Sequence, residues 1–231
     1  MRPVDRVVDK LGTTRVDLFV HLWKDWGIGR TSYPNSLVRT GRSLSQGCGG
    51  KLVGSLSPVT DSPYRITVVC LGNICRSPMA EVVLAERIER AGLGDRVTVD
   101  SAGTGDWHLG HNADPRARAT LSAAGYAHDH TARQITPDWM SDIDLLLAMD
   151  EANYRDLEVM QRAAAATGGD IPALRMFRAY DEALSHLPEP HPDLAVPDPY
   201  FGGDEGFAES LVMIEKAADG IVDGLLADLD Q

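Results

Sequence analysis

The chain has few cysteines and no long apolar run. Only three of its 231 residues are cysteine, too few for the disulfide framework of a small secreted protein. No stretch is long enough to cross a membrane, and Asp17 and His21 interrupt the one apolar run near the start, which argues against a signal peptide. No histidine cluster has the spacing of a zinc site. These absences predict a protein of the reducing cytoplasm that uses no metal or other cofactor.

Basic charge is also scarce. The chain has 22 lysines and arginines against 34 aspartates and glutamates, a net charge of −12. Residues 1–62 hold 9 basic and 5 acidic side chains, whereas residues 63–231 hold 13 and 29. Nucleic-acid affinity comes mainly from basic contacts to phosphates, so such an acidic domain is a poor binder. We therefore expect neither nucleic acid nor a membrane as a partner.

Residues 1–62 differ from the rest of the chain. They show no helix or strand period beyond a brief apolar alternation at 16–22, and positions 43–57 are rich in glycine and serine, like a linker. We predict a disordered N-terminal extension over 1–62 and one domain over 63–231, with Cys48 as an incidental thiol in the extension. Alternatively, translation starts further downstream and residues 1–62 are not made, or they form a regulatory or targeting arm.

The most informative stretch is CLGNICRS, residues 70–77, between a short predicted strand (65–69) and a predicted helix (78–91). A helix N-terminus has partial positive charge and unpaired N–H groups, so it binds anions. Positive surroundings lower the pKa of a thiol from roughly 8.5 to about 3.5–7.5, which makes Cys70 a candidate nucleophile. Arg76 is always charged and can hold two phosphate oxygens. The stretch predicts a loop that holds a phosphate dianion against a thiolate.

The other residues of the stretch suit such a loop. Gly72 lets the backbone approach an anion closely, and Asn73 tolerates the left-handed conformation that a tight cradle needs. Ser77 is expected to cap the helix or to donate a hydrogen bond to the thiolate, and Pro78 fits the first helical position. A Cys-x5-Arg spacing alone arises by chance, but these flanking features favour function.

Strand-like and helical segments alternate through the rest of the chain. Strands are predicted at 65–69, 97–101, 145–149 and 174–177, and helices at 78–91, 115–125, 151–161 and 206–227. Gly92 should end the first helix, and Asp114 should cap the second. The alternation predicts an α/β fold, a single doubly wound four-stranded parallel sheet with helices on both faces and the phosphate loop after the first strand. Because ligands bind beyond the carboxyl ends of such strands, Cys70 and Asp198 should share that edge.

Five motifs, in order along the chain, resemble a known family. VVCLGNICRSPMAE is similar to the phosphate loop of the low-molecular-weight protein tyrosine phosphatases. The resemblance continues through DSAGTGDWHLGHNADPRA (100–117), HDHTARQIT (128–136), LLLAMDEANYRDL (145–157) and PDPYFGG (197–203). It covers residues 65 to about 227, roughly 70% of the chain, and SAGTGDWH resembles the bacterial, actinobacterial-like branch.

The resemblance implies a role for each matching residue. Cys70 would be the nucleophile, Arg76 the transition-state arginine and Asp198 the general acid and base. The rest of the phosphate-binding loop would be Leu71, Gly72, Asn73, Ile74, Cys75 and Ser77. A supporting hydrogen-bond network would join Asn73 and Ser77 to Ser101 and His130. The walls around the substrate ring would be Trp107, Tyr200 and Phe201. Cys75 would also form a reversible disulfide with the nucleophile.

The residues and the resemblance together predict a protein tyrosine phosphatase. The Cys70 thiolate would attack phosphorus to give a cysteinyl-phosphate, and Asp198 would protonate the leaving phenolate. Phosphotyrosine-containing proteins are the implied substrates, bacterial tyrosine kinases among them. Without the resemblance, Val-Pro-Asp-Pro-Tyr around Asp198 would be interpreted as a plain turn.

Three other functions remain open on the sequence. Protein arginine phosphatases share the loop but typically carry threonine at the position of Ile74, where an apolar residue favours a flat aromatic substrate. Arsenate reductases need further cysteines downstream, and none follows Cys75. An inactive phosphate-binding module would lack Cys70, Arg76 or Asp198, and all three are present.

Overall fold

The computed structural model describes residues 62–229. Its helices and strands are β1 (Tyr64–Cys70), α1 (Arg76–Arg90), β2 (Val97–Gly103), α2 (Pro115–Ala123), β3 (Leu145–Ala148), α3 (Glu151–Ala166), β4 (Ala173–Met176) and α4 (Asp204–Leu229). Short 3₁₀ turns lie at Pro137–Asp142, Phe177–Tyr180 and Pro192–Leu194. The predicted N-terminal extension, 1–62, lies almost wholly outside the described residues.

The four strands form one parallel sheet in the order β2-β1-β3-β4. Val69 of β1 lies opposite Ala102 of β2 and Ala148 of β3, and all three are fully buried. The crossover through α1 leads from β1 to one edge of the sheet, and the crossover through α3 leads from β3 to the other edge. Because such crossovers are right-handed, the two helices lie on opposite faces. The predicted doubly wound α/β sheet is confirmed.

The predicted helix signals at Asp114 and Gly92 are confirmed. The Asp114 carboxylate accepts a hydrogen bond from the backbone N–H of Arg116 at 2.8 Å, at the start of α2. Gly92 has a φ of 73° just after α1, the left-handed conformation that glycine adopts without a Cβ clash. α2 therefore begins at a side chain that caps it, and α1 ends just before a glycine that adopts the left-handed conformation.

The start of α1 differs from the prediction. The helix begins at Arg76, the preceding Cys75 makes no side-chain cap, and Pro78 is the third helical residue rather than the first. Pro78 is tolerated there because the N–H groups of the first turn have no partner inside the helix. Of the two expectations for Ser77, the helix cap is wrong, since this residue lies inside α1. The other, a contact with the Cys70 thiol, is present, with the hydroxyl oxygen 3.0 Å from Sγ.

The later helices bury the faces that their sequences indicate. α3 continues past the predicted end at 161 because alanines 163–166 are strong helix formers. α4 buries an apolar stripe, which consists of Leu211, Ile214, Ala218, Ile221 and Leu225. No helix within 62–229 is long and apolar enough to cross a membrane.

Candidate active site

A pocket lies at the carboxyl ends of the strands, where the β1–α1 loop meets two other loops. It encloses about 140 Å³. The residues around it are Cys70, Leu71, Gly72, Ile74, Cys75, Arg76, Trp107, His108, Asp198, Tyr200 and Phe201. The pocket therefore brings together the predicted nucleophile, arginine and carboxylate with all three predicted ring walls.

The Cys70 sulfur receives two hydrogen-bonding groups at the bottom of this pocket. The backbone N–H of Asn73 donates to Sγ at 3.3 Å, and the Ser77 hydroxyl lies 3.0 Å from Sγ. The side-chain amide of Asn73 donates to the same hydroxyl oxygen at 2.9 Å, so the hydroxyl hydrogen can point to the sulfur or to the Ala102 carbonyl oxygen, which lies 3.4 Å away. Asn73 has a φ of 53°, the left-handed conformation predicted for it. The loop is thus built to stabilise a thiolate.

A buried polar network holds Asn73 in this conformation. Its amide also donates to the Ser101 hydroxyl at 2.8 Å, and its side-chain oxygen accepts from the backbone N–H of Arg133 at 2.9 Å. Its carbonyl oxygen lies 2.7 Å from Nε2 of His130, so Nε2 carries the ring hydrogen. Ser101 in turn donates to the Glu81 carboxylate at 2.6 Å. Ser101 and His130, the two residues predicted to support the loop, thus both contact Asn73.

The end of β2 leaves room for the loop only because residue 103 is glycine. A Cβ at Gly103 would lie 2.7 Å from the carbonyl oxygen of Leu71. The next two residues, Thr104 and Gly105, donate their backbone N–H groups to the carbonyls of Cys70 and Leu71, each at 2.9 Å. β2 thus sets the path of the phosphate loop through direct backbone contact.

The Arg76 guanidinium is almost completely buried and lies between two carboxylates. Nη1 contacts Asp150 at 2.5 Å, and Nη2 contacts Asp198 at 2.9 Å. Nη1 also donates to the carbonyl of Val196 at 3.2 Å. Burial by itself would lower the pKa of Arg76, but Cys70 and the two carboxylates raise it above its ordinary value, so the group stays charged. Its Nε is buried and has no hydrogen-bond partner within 62–229.

Cys70 and Cys75 are both buried free thiols. Burial, and next the negative charge of Asp114, raise the pKa of Cys75 from 9.0 to about 12. Cys75 is therefore a neutral thiol at physiological pH, and it adds no negative charge that would repel the anion that the loop would bind.

Aromatic side chains form the rim of the pocket. Trp107 is 69% exposed and Phe201 is 94% exposed. The rings of Tyr200 and Phe201 meet edge to face at 5.0 Å, and the ring of His108 lies 6.1 Å from that of Tyr200. Exposed aromatic rings at a pocket mouth offer faces and edges for a flat apolar ring.

Four contributors to the site were not predicted from the sequence: Glu81, His108, Arg133 and Asp150. Asp150 had a usable signal, because it directly follows the predicted third strand (145–149) and precedes a predicted helix, as Cys70 follows the predicted first strand (65–69). His108 adjoins Trp107 in a loop rich in glycine. The other two carried no local signal, since arginines and glutamates on helices and loops are usually solvated. Within the described part of the chain, no group of three or more His, Cys, Asp or Glu could hold a metal ion.

The fold and the pocket define a class of protein: an α/β domain that presents a cysteine and an arginine on an anion-binding loop at the sheet edge. Residues 65–231 match the family model described as low molecular weight phosphotyrosine protein phosphatase. The low molecular weight protein-tyrosine-phosphatase of Streptomyces coelicolor is 49% identical over 159 residues, which cover 69% of this chain and 92% of that protein. The chain belongs to the low-molecular-weight phosphotyrosine protein phosphatase family.

Solved structures of two kinds of phosphatase match the fold. A protein tyrosine phosphatase from Entamoeba histolytica matches with a TM-score of 0.60 and 30% identity, covering 71% of this chain and 97% of that one. An arginine phosphatase from Drosophila matches with a TM-score of 0.62 and 29% identity, covering 70% and 97%. The backbone alone therefore does not distinguish the two substrates, and the pocket walls have to.

Proposed function

We propose that this enzyme hydrolyses phosphotyrosine in proteins, with Cys70 as nucleophile, Arg76 as the transition-state stabiliser and Asp198 as general acid and base. The observation that carries the proposal is the arrangement, in one pocket with an aromatic rim, of Cys70 Sγ and the buried Nε of Arg76, which has no hydrogen-bond partner among residues 62–229. A buried unpaired N–H is costly, and a phosphate oxygen would satisfy it with a charge-assisted bond.

The chemistry has two steps. The Cys70 thiolate attacks phosphorus, so an S–P bond forms while the bond from phosphorus to the tyrosine oxygen breaks, and Asp198 gives its proton to that oxygen. Water then attacks phosphorus, Asp198 takes a proton from it, and the S–P bond breaks to return the thiolate and release inorganic phosphate. Arg76 and the loop N–H groups stabilise the charge on the equatorial oxygens in both steps.

The contact between Asp198 and Arg76 suggests an order of events. Nη2 of Arg76 pairs with Asp198 in this structure at 2.9 Å. A phosphate bound by the guanidinium would take over Nη2, and the Asp198 side chain, released from the ion pair and carrying its proton, would turn toward the leaving oxygen. Nη1 would keep its contact with Asp150, so Arg76 would stay oriented during the exchange.

The pocket walls favour a phenyl ring over a guanidinium. Ile74, an apolar residue with 8% of its surface exposed, lines the pocket together with the rings of Trp107, Tyr200 and Phe201. A phosphoarginine would bring polar N–H groups against this apolar wall, and those groups would lose hydrogen bonds to water. Phosphoarginine remains the second candidate substrate, because an arginine phosphatase shares the fold.

The test is hydrolysis of a phosphotyrosine peptide and a phosphoarginine peptide, measured side by side. We expect Cys70→Ser to abolish turnover and Asp198→Asn to lower kcat by about 10²–10⁴, the usual contribution of a general acid. Asp170→Asn, at an exposed carboxylate outside the pocket, is the matched control and should behave as wild type. Preference for phosphoarginine would assign the second substrate, and phosphate binding without turnover of either peptide would make the protein a binding module.

Phosphoproteins are the substrates that membership of this family implies, and we propose that a bacterial tyrosine kinase is one of them. Dephosphorylation of a purified, autophosphorylated kinase, compared with that of a phosphoserine protein, would test this. We place the enzyme in the cytoplasm, because a catalytic thiol must stay reduced. We also propose that residues 63–231 form the whole catalytic domain, since every residue of the proposed site lies within them.

A further inference from the structure

We propose that Arg116 is a positioning residue for the general acid: it ties residues 198–203, here called the acid segment, to the phosphate loop. The proposal rests on the function proposed above, in which Asp198 donates the proton. Arg116 is the second residue of α2 and lies between the phosphate loop on one side and the acid segment on the other. It does not line the pocket, so its effect on the reaction would pass through Asp198.

One side of the link is fixed to the phosphate loop. The backbone N–H of Asp114 donates to the carbonyl of Ile74 at 2.7 Å. The Asp114 carboxylate then binds the Arg116 guanidinium through two bonds, Nε to Oδ1 at 3.1 Å and Nη2 to Oδ2 at 3.0 Å. The same carboxylate caps α2 by accepting from the Arg116 backbone at 2.8 Å. This fork-to-carboxylate geometry holds the guanidinium in one plane relative to the loop.

The other side of the link holds the acid segment by its backbone. Nη1 of Arg116 donates to the carbonyl of Gly202, and Nη2 donates to the carbonyl of Tyr200, each at 3.0 Å. The guanidinium carbon lies 4.6 Å from the centre of the Phe207 ring, which packs beneath it. Four of the five guanidinium N–H groups thus have partners on both sides of the link. A lysine ammonium is a compact charge without this planar fork and would not span them.

The acid segment needs such a link because its own backbone bonds are short-range. Tyr200 donates its N–H to the Asp198 side chain at 3.1 Å, and Gly202 donates to the carbonyl of Pro199 at 3.0 Å. The Asp198 side chain is also held by Arg76, but that contact is the one a bound phosphate would replace. Arg116 would then keep the segment closed while Asp198 delivers its proton.

The dependence of rate on the leaving group isolates this role. A tyrosine phenolate has a conjugate-acid pKa of about 10 and needs a proton as it leaves. A 4-nitrophenolate is a much weaker base and leaves with little help. Loss of proton donation therefore slows the phosphotyrosine peptide more than 4-nitrophenyl phosphate, whereas a loss of folded enzyme slows both equally. The ratio of the two kcat/KM values reports the first step alone, because hydrolysis of the cysteinyl-phosphate is common to both substrates, and it is independent of how much of a variant is folded.

The experiment measures that ratio for Arg116→Gln and Arg116→Lys, with Asp198→Asn in parallel and Arg118→Gln, at an exposed position of the same helix, as control. We expect both Arg116 variants to lower the ratio by about 10-fold, a part of the 10²–10⁴ that a general acid supplies. KM should change little. In the Asp198→Asn background Arg116→Gln should lower the ratio no further, because the two residues act through one proton transfer.

Two results would overturn the proposal in distinguishable ways. If Asp198→Asn lowers the ratio but the Arg116 variants leave it at the wild-type value, Arg116 does not position the acid and the proposed function stands. The same conclusion follows if Arg116→Gln still lowers the ratio when Asp198 is already asparagine. If Asp198→Asn itself leaves the ratio unchanged, the assignment of the general acid fails, and the proposal for Arg116 fails with it.

Discussion

Replacing Asp150 with asparagine should destabilise the protein although the side chain keeps its size. Asp150 carries two duties: Oδ1 accepts the backbone N–H of Asn153 at 2.8 Å, which caps α3, and Oδ2 pairs with Nη1 of Arg76 at 2.5 Å. Asparagine caps a helix as well as aspartate does. The substitution therefore removes the ion pair alone, and Arg76 keeps only Asp198 as a carboxylate partner.

The expected loss follows from the burial of the pair. The Arg76 side chain is 3% exposed and that of Asp150 24%. A hydrogen bond to a charged group contributes about 1.5–3 kcal/mol, and stripping a partner from a fully buried charge costs about 3–5 kcal/mol. Because Asp150 is partly solvated and Asp198 remains, we expect Asp150→Asn to lower the free energy of unfolding by about 2 kcal/mol. For a domain of this size, that loss lowers Tm by about 4–8 °C. Asp150→Ala also loses the cap and should cost about 1 kcal/mol more.

Urea unfolding at neutral pH measures these differences, with Asp156→Asn, an exposed carboxylate on α3, as the control. The urea midpoint of Asp150→Asn should lie between those of wild type and Asp150→Ala, and the midpoint of Asp156→Asn should equal that of wild type. The reasoning is refuted if Asp150→Asn unfolds at the wild-type urea midpoint, because the buried ion pair would then contribute nothing. Equal midpoints for Asp150→Asn and Asp150→Ala would refute the separation of the cap from the ion pair.

Three further predictions concern the phosphate loop. Gly103→Ala should weaken inhibition by inorganic phosphate, because its Cβ would lie 2.7 Å from the Leu71 carbonyl and displace the loop; displacements of about 1 Å can cost up to about 10²-fold. Unchanged inhibition would contradict this, and Gly169→Ala, with no contact closer than 3.4 Å, is the control. Iodoacetamide at pH 8 should modify Cys70 before Cys75, since a pKa of about 12 leaves about one Cys75 in ten thousand ionised. Mass spectrometry that finds Cys75 modified first would contradict this raised pKa. Because the Cys75 thiol ionises near pH 9 in the unfolded chain but near pH 12 in the folded one, its contribution to stability is fully present below pH 9 and declines between about pH 9 and 12. The urea midpoint of wild type should therefore decline more steeply over that pH range than the midpoint of Cys75→Ala.

Much of the fold and of the reacting groups could be predicted from the sequence because the signals are local. Apolar runs and helical stripes span a few residues, so the predicted order of strands and helices along the chain is correct. Most of the predicted bounds lie within two residues of those in the structure. Asn73 and Gly92 adopt the left-handed conformations that their side chains permit. The placement of Cys70 at a strand end before a helix follows from the same local patterns.

The start of α1 shows where local reasoning fails. Serine before proline is a strong capping pattern, yet the Ser77 hydroxyl lies 3.0 Å from the Cys70 sulfur and accepts from the Asn73 amide. That competing partner exists only once the loop has folded back over the helix. Capping preferences describe hydrogen bonds between a side chain and the backbone close to it in the chain. Here the hydrogen-bond partners of the Ser77 hydroxyl are set by the folded loop instead.

The sequence by itself determined the alternation of elements and the phosphate loop; it predicted Cys70 and Arg76 from the local pattern and Asp198 from the family resemblance. Only the tertiary structure decided that the strand order is β2-β1-β3-β4 and that Arg76 lies between Asp150 and Asp198, which are 74 and 122 residues away. It also decided that Arg116 contacts the acid segment at Tyr200, 84 residues further along the chain. The physical reason is range: periodicity and backbone preference act over a few residues, whereas ion pairs form wherever packing of the sheet brings distant loops to one edge.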